Sequence, residues 1–236
     1  RANEQIYTNA TENSKIIYVG SLAGLVPSGP GHSHQSVRDI ALMSCIPKMM
    51  VVEPSCVAEM IKVLDWMVDK AEGPSYLRLT SVPAILPTKL KDASLTPGHG
   101  TVLLPGNDAL VITYGPIMLG EALRAAIRLH EKTKLSLQIV NLPWLNQIDL
   151  EWLRSQVAPF DYIFTIDNHY LSGGQGEKIA SALSELNLKN PPLLKRFGLN
   201  EIPACGTNIE ALRYHGLDSF QLCEKIFMEI TGKILS

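Results

Sequence analysis

Cysteine is scarce and scattered. The 236 residues hold only Cys45, Cys56, Cys205 and Cys223, with no C-x-x-C pair. That excludes a disulfide framework, and no Cys/His group has metal-ligand spacing, so no metal site is expected. The apolar surroundings of these cysteines predict buried free thiols in a reducing compartment, hence a cytoplasmic protein. Basic blocks are missing too. The 21 Lys and Arg are dispersed among 23 Asp and Glu, for a net charge of −2. A nucleic-acid face needs clustered positive charge, so that partner class is set aside. No apolar run approaches the roughly 20 residues that cross a bilayer, and no signal-peptide pattern opens the chain, so no membrane role is expected.

What is present is an apolar content of 46%, ample for sizeable cores, in a length that allows one or two domains. The first residue is Arg1, not methionine. Ala2, Ile6, Tyr7 and Ala10 share one face of a helix already under way. The expectation is part of a longer polypeptide.

Hydrophobic spacing then alternates. Strands are predicted over 15–19, 49–52 and 75–80, with helices over 35–44 and from Ser55 onward. Ser55 is the expected N-cap of the second helix, whose apolar positions are Val57, Met60, Ile61, Leu64 and Val68. This β-α-β-α-β order implies a parallel sheet with helices on both faces. Residues 82–108 are rich in proline and glycine and read as an interdomain linker, with Thr101–Leu104 able to pair as a short edge strand. A second alternation follows, with strands at 110–115, 135–142, 161–166 and 193–197 and helices between and after them. The predicted fold class is α/β: two tandem three-layer α/β/α domains with mostly parallel sheets, over 1–81 and 109–236, the first one incomplete.

Chemistry concentrates in Pro27-Ser28-Gly29-Pro30-Gly31-His32-Ser33-His34-Gln35-Ser36. A strand enters this glycine-rich loop and a helix leaves it, which is how α/β proteins place polar groups at a sheet edge. His32 and His34 share a side if the loop is extended, and imidazole suits proton transfer near neutrality. On spacing alone the stretch reads equally as a surface turn with two incidental histidines. Arg38 and Asp39, about one helical turn on, read as an exposed ion pair or as a brace for the loop. Gly173-Gly174-Gln175-Gly176 is able to cradle an anion at a helix start, but it has no P-loop lysine and reads better as a structural turn. Asp167 and His169 sit at a frayed strand end, where their relative direction is open. Glu177 reads as a surface carboxylate favoured by the helix start.

Ordered motifs add a resemblance. Gly31-His32-Ser33-His34-Gln35, Asp39-Ile40-Ala41, Ile46-Pro47, Val51-Val52-Glu53-Pro54 and Gly73-Pro74-Ser75-Tyr76-Leu77-Arg78 resemble the pyrimidine-binding domain of transketolase-like thiamine diphosphate enzymes. Leu110–Gly115, Glu121-Ala122-Leu123, Ile166-Asp167-Asn168-His169-Tyr170 with Gly173–Glu177, Gly206-Thr207 and Gly216-Leu217 resemble their C-terminal domain. The resemblance implies that thiamine diphosphate and Mg²⁺ are held by an N-terminal domain absent here. It also puts the activating glutamate and the stacking aromatic upstream of Arg1, so no cofactor ligand is assigned. It implies His34 as the catalytic histidine near the substrate, and His32, Ser33 and Gln35 as substrate-binding neighbours. Three positions depart from the pattern: Pro30 replaces a sugar-reading aspartate, Leu22 a substrate-contacting histidine, and Ser81 a phosphate-contacting arginine. His32, in place of a family proline, is a candidate to take over part of that role. The implied function is ketol transfer between sugar-type substrates by a split or truncated transketolase, with an N-terminal partner half and a homodimeric complete enzyme. The alternatives are the beta chain of a 2-oxo acid dehydrogenase and a non-catalytic scaffold half.

Overall fold

The computed structural model describes residues 2–84, 86–87, 90 and 94–235. The expected linker over 82–108 therefore lies partly outside the described residues, as do Arg1 and Ser236. Helix α1 (Ala2–Thr11) precedes strand β1 (Ile17–Gly20). Then come α2 (Asp39–Ser44), β2 (Met50–Val52), α3 (Val57–Asp69) and β3 (Ser75–Arg78). The three strands pair in parallel in the order β1-β3-β2. Side chains alternate across this sheet, as strand geometry requires. Met50, Val52 and Leu77 pack with Val63 and Met67 of α3, while Val51 and Tyr76 pack with Ala10 of α1 and Ile40 and Met43 of α2.

The second sheet is built from β4 (Thr101–Leu104), β5 (Ala109–Thr113), β6 (Leu137–Asn141), β7 (Tyr162–Tyr170) and β8 (Leu193–Leu199). Its order is β4-β6-β5-β7-β8, all parallel except the antiparallel edge strand β4. Helices α4 (Pro116–Thr133), α7 (Asn208–Tyr214) and α8 (Ser219–Thr231) contribute to the core on one face, and α5 (Leu150–Val157) and α6 (Gln175–Glu185) to the core on the other. Thr207 closes a capping box on α7, and the Asp218 side chain accepts the Gln221 amide at the start of α8. The α/β class with mostly parallel sheets is thus as the alternation implied.

The two sheets share a core. Val63 and Met67 belong to the same apolar cluster as Leu110, Ile112 and Trp144. Trp66 meets Trp144 edge to face at 5.2 Å. Backbone bonds stitch the same seam: Glu53 N–H to Pro143 O (3.0 Å), Leu145 N–H to Val51 O (2.8 Å) and Tyr170 N–H to Val37 O (3.0 Å).

Four local expectations need correction. Helix α2 begins at Asp39 rather than Gln35, because Ser36 instead bridges to Ala23 and Gln35 is spent on tertiary bonds. Cys56, not Ser55, caps α3; the Ser55 hydroxyl donates to Asn141 Oδ1 at 2.7 Å. The buried face of α3 is Glu59, Val63 and Met67, whereas Val57, Ile61, Leu64 and Val68 are exposed. Among the cysteines only Cys223 is buried; Cys45 and Cys205 are exposed and Cys56 is half-buried. Among the described residues no helix is long and apolar enough to cross a membrane.

Candidate functional site

Parallel strands bring their C-terminal ends to one side of a sheet. The chain leaving β1 at Gly20 therefore folds its loop over the same edge at which β3 ends. In open α/β sheets that edge is where ligands bind. Here the loop is anchored before it reaches the histidines. Ser28 is fixed by Asn208 Oδ1 (3.0 Å to its amide) and by Gly206 O (3.0 Å to its hydroxyl). Gly24, at φ +87, passes so close to Asn168 that a Cβ there would lie 2.6 Å from its Cγ. Only glycine fits that approach without strain.

His32, Ser33 and His34 are all exposed. They line a cleft of about 650 Å³ together with Arg38, and Tyr170 and Ile202 from the second half of the chain form its other wall. The Ser33 hydroxyl lies 2.9 Å from His34 Nδ1, so the free edge of that ring is Nε2. His32 Nδ1 lies 3.3 Å from Cys205 Sγ and 3.4 Å from Pro203 O, which ties it to the opposite wall. Gln35 behaves differently. It is buried, and its Nε2 donates to Leu25 O and Ala204 O, both at 2.9 Å. Its Oε1 is buried without a partner. The structure brings His32, Ser33 and His34 to one cleft and turns Gln35 into the scaffold beneath them.

Beneath the loop lies a charge cluster that the spacing of motifs did not assign. Arg78, at the end of β3, is fully buried. Its Nε donates to Asp39 Oδ2 at 2.8 Å, one terminal nitrogen to Glu53 Oε2 and to Asn168 Oδ1 (2.7 Å), and the other to Ser36 O (3.0 Å). A guanidinium out of water survives only when its donors are matched in this way. The Tyr76 hydroxyl also donates to Asp39, at 2.8 Å. Burial pushes the Asp39 carboxyl up, but the Arg78 guanidinium and the Tyr76 hydroxyl outweigh it and leave the group below its ordinary value. Glu53 goes the other way. Full burial lifts it to about 7 against the pull of Arg78, and the Asp39 charge adds to the rise. The expected Arg38–Asp39 pairing is therefore corrected: Asp39 pairs with Arg78. The signal was in the sequence, since an arginine inside the apolar strand Tyr76-Leu77-Arg78-Leu79 needs a buried counter-charge.

The Asp167–His169 segment is part of the same interior. Strand β7 runs on to Tyr170, and Asp167, Asn168 and His169 are all buried. Asp167 accepts the amides of Gln175 (2.9 Å) and Gly176 (3.0 Å) and the Tyr114 hydroxyl (2.9 Å). His169 Nε2 accepts the Ala41 amide at 3.4 Å, and its Nδ1 lies 2.8 Å from Tyr170 O. Burial lowers the His169 pKa, with the Arg78 charge adding to the fall. His169 is thus a sealed structural imidazole and not a base facing a cleft. The Gly173–Gly176 turn is likewise structural. Its free amides are taken by the Asp167 carboxylate, and Glu177 folds back onto the Gly173 amide.

These residues do not fit a metal-bound diphosphate. The one glycine-rich helix start considered for an anion is filled by the chain's own carboxylate. Among the described residues no three His, Cys, Asp or Glu side chains are grouped to hold a metal. Glu59 is no free acid either, since it accepts the Ser55 amide (2.6 Å) and the Asn141 side chain (2.8 Å).

Comparison with known proteins gives a consistent assignment. Residues 1–81 match the transketolase pyrimidine binding domain and residues 98–222 the transketolase C-terminal domain. A putative transketolase C-terminal section from Methanocaldococcus jannaschii is 31% identical over 92% of this chain and 66% of its own length. A 1-deoxy-D-xylulose-5-phosphate synthase from Rippkaea orientalis is 29% identical over 96% of this chain, but only 35% of that enzyme is matched. An apulose-4-phosphate transketolase subunit from Actinobacillus succinogenes is 27% identical over 93% of this chain and 70% of its own length. Among solved structures, an inactive beta4 tetramer of a split-gene transketolase superposes with a TM-score of 0.84 at 29% identity, covering 98% of this chain and 72% of that one. The chain thus spans about two thirds of some relatives and about one third of others. With both domain matches in chain order and the cleft loop at the expected sheet edge, the chain belongs to the transketolase family.

Proposed function

We propose that this chain supplies the substrate-facing wall of a thiamine diphosphate-dependent transketolase that moves a two-carbon ketol unit between sugar-type substrates. A partner bearing the N-terminal half completes the enzyme and holds the cofactor's diphosphate and Mg²⁺, groups that the residues here do not fit. When bound, the cofactor supplies the carbon nucleophile; the residues of this chain bind and orient the sugar. The observation that carries the reading is the His32-Ser33-His34 run facing one cleft on a braced loop. His34 is the catalytic residue of this proposal. Ser33 holds its Nδ1 and directs Nε2 toward the cleft, where it is placed to exchange a proton with a substrate hydroxyl. His32 and Ser33 contact the substrate. Gln35, first expected to bind substrate, acts as a positioning residue through its two backbone bonds. A homodimeric complete enzyme in the cytoplasm goes with this reading.

The relatives support this division of labour. One is a C-terminal section, one a transketolase subunit, and one solved neighbour a split-gene transketolase. The test is reconstitution. Mixing this chain with an N-terminal half, thiamine diphosphate and Mg²⁺ is expected to give ketol transfer, and His34→Ala to lower kcat/KM by about 100-fold. Full activity of the His34→Ala mixture overturns the catalytic assignment. Ketol transfer by this chain alone overturns the division between halves, and acyl transfer to a lipoyl group in place of ketol transfer moves the chain to another class.

A further inference from the structure

The wall of the cleft that faces the histidine loop belongs to the segment 200–207, between β8 and α7. Ile202 and Pro203 of that segment line the cleft. Its middle is held by one peptide group. The Ala204 carbonyl accepts from Gln35 Nε2 at 2.9 Å, and the Ala204 amide donates to His215 Nε2 at 2.9 Å. Gln35 also donates to Leu25 O at 2.9 Å, so it ties the wall to the loop that carries His34, its neighbour in the chain. His215 is the C-cap of α7, and its side chain is 1% exposed.

The Ala204 contact fixes the state of the His215 ring. A backbone amide only donates, so Nε2 is the acceptor and the proton of the neutral ring is on Nδ1. Glu201 Oε1, from the wall itself, lies 3.9 Å from Nδ1. On the ring's own helix, Tyr214 meets it edge to face at 5.0 Å, and Arg213 is paired with Asp218 at 3.1 Å. A second ring proton sets Nε2–H against the Ala204 N–H, donor against donor, and the bond is lost. Burial lowers the His215 pKa and the Glu201 charge opposes the fall, so that proton arrives below the ordinary 6.5. Ser28 still holds Gly206 O, so the far end of the wall stays attached and the release is local.

We infer that His215 is a positioning residue for the cleft: its neutral ring clamps the Ala204 peptide, and through it Gln35, and protonation of the ring releases the clamp and loosens the wall. This rests on the function proposed above and adds an acid-sensitive control on it.

The first test needs no turnover. Nitrogen NMR of the full chain at about pH 8 is expected to show the His215 proton on Nδ1; a proton on Nε2 overturns the clamp. Hydrogen exchange then reads the Ala204 amide from about pH 8 to about pH 5, as a protection factor. Protection is expected to fall about 10-fold or more as the ring is protonated. His215→Gln offers a carbonyl that accepts without titrating, and is expected to keep protection across the range. Glu201→Gln leaves the ring in place and removes the charge that favours its second proton, so the fall is expected to move to lower pH. A fall of the same size in His215→Gln, or one that stays put in Glu201→Gln, overturns the inference. The second test uses the reconstituted enzyme. KM for the sugar is expected to rise about 10-fold on acidification in the wild type, and by less in His215→Gln, while both keep any titration of His34. Identical KM profiles overturn the positioning role. Absence of ketol transfer, with the exchange differences intact, removes the proposed reaction and keeps the clamp.

Discussion

Arg78 and Asn168 meet at 2.7 Å, and through that contact a side chain from the first sheet is locked to one from the second. The same guanidinium holds Ser36 O, two residues from His34, and Asp39 at the start of α2. One buried cation therefore fixes both the seam between the sheets and the root of the candidate catalytic loop. Arg78→Ala leaves two buried carboxylates without their counter-charge and is expected to cost about 3–5 kcal/mol. Arg78→Lys cannot reach in four directions and is expected to recover less than half. Urea unfolding of the three proteins measures the difference; a loss under about 1 kcal/mol for Arg78→Ala contradicts the assignment of Arg78 as the clasp.

Glu53 gives this clasp a pH dependence whose sign is fixed. Its ordinary value is 4.5 and burial raises it to about 7 in the fold. A carboxyl that holds its proton more tightly when folded stabilises the fold at low pH. That contribution is complete below about 4.5 and is lost as pH rises through about 7. Glu59 is raised to about 7 by burial as well, against the donors from Ser55 and Asn141, and acts in the same direction. Asp39 is lowered, so its contribution falls away only on acidification below its ordinary 3.8, outside this window. Stability is therefore expected to decline between about pH 4.5 and 7, with up to about 3 kcal/mol from Glu53. Glu53→Gln is expected to flatten roughly half of that decline. Urea midpoints across the pH range read it, and an unchanged slope in Glu53→Gln removes Glu53 from the account.

Helix α3 offers a test of which face is which. Ile61 is half exposed while Val63, two residues on, is fully buried against the second sheet. Ile61→Lys is expected to change stability by less than about 0.5 kcal/mol, because the side chain leaves no cavity and buries no charge. Val63→Ala is expected to cost about 1–3 kcal/mol, from lost burial and the cavity left beside Met67. Thermal melts separate the two, and a reversed order places the sheet on the other side of the helix.

The same helix shows where sequence reading stops. A 3-4 repeat of Val57, Ile61, Leu64 and Val68 correctly marks a helix, but it names the solvent side. The buried side includes Glu59, whose burial is offset by two hydrogen bonds that no local pattern reveals. The parallel alternation was legible because buried strands must be apolar on both faces, and Met50, Val52 and Leu77 against Val51 and Tyr76 satisfy that rule. The histidine loop was legible because glycine and proline break periodicity there. The Arg78 cluster was not, since Arg78, Asp39, Glu53 and Asn168 are brought together by tertiary folding, the Asn168–Glu53 bond alone joining residues 115 positions apart. His169 misled for the same reason: its partner, the Ala41 amide, is 128 positions away.

Asp167 makes the final case, because it decides what the glycine-rich turn is for. Its two oxygens accept the Gln175 and Gly176 amides, which in an ordinary first helical turn have no partner within the helix. Tyr114 donates to the same carboxylate and, at 3.3 Å, to Asn168 Oδ1, so removing the carboxylate strands the two amides in the interior and leaves Tyr114 its longer bond. Asp167→Ala is expected to cost about 3 kcal/mol. Asp167→Asn is expected to cost less, since one amide oxygen still accepts while the NH₂ group opposes the Gly176 amide. Hydrogen exchange supplies the local readout. The Gln175 and Gly176 amides are expected to be protected in the wild type, despite lying at the start of α6, and to exchange much faster in Asp167→Ala. If those two amides exchange freely in the wild type, the carboxylate is not seated there, and the turn becomes available to an external anion after all.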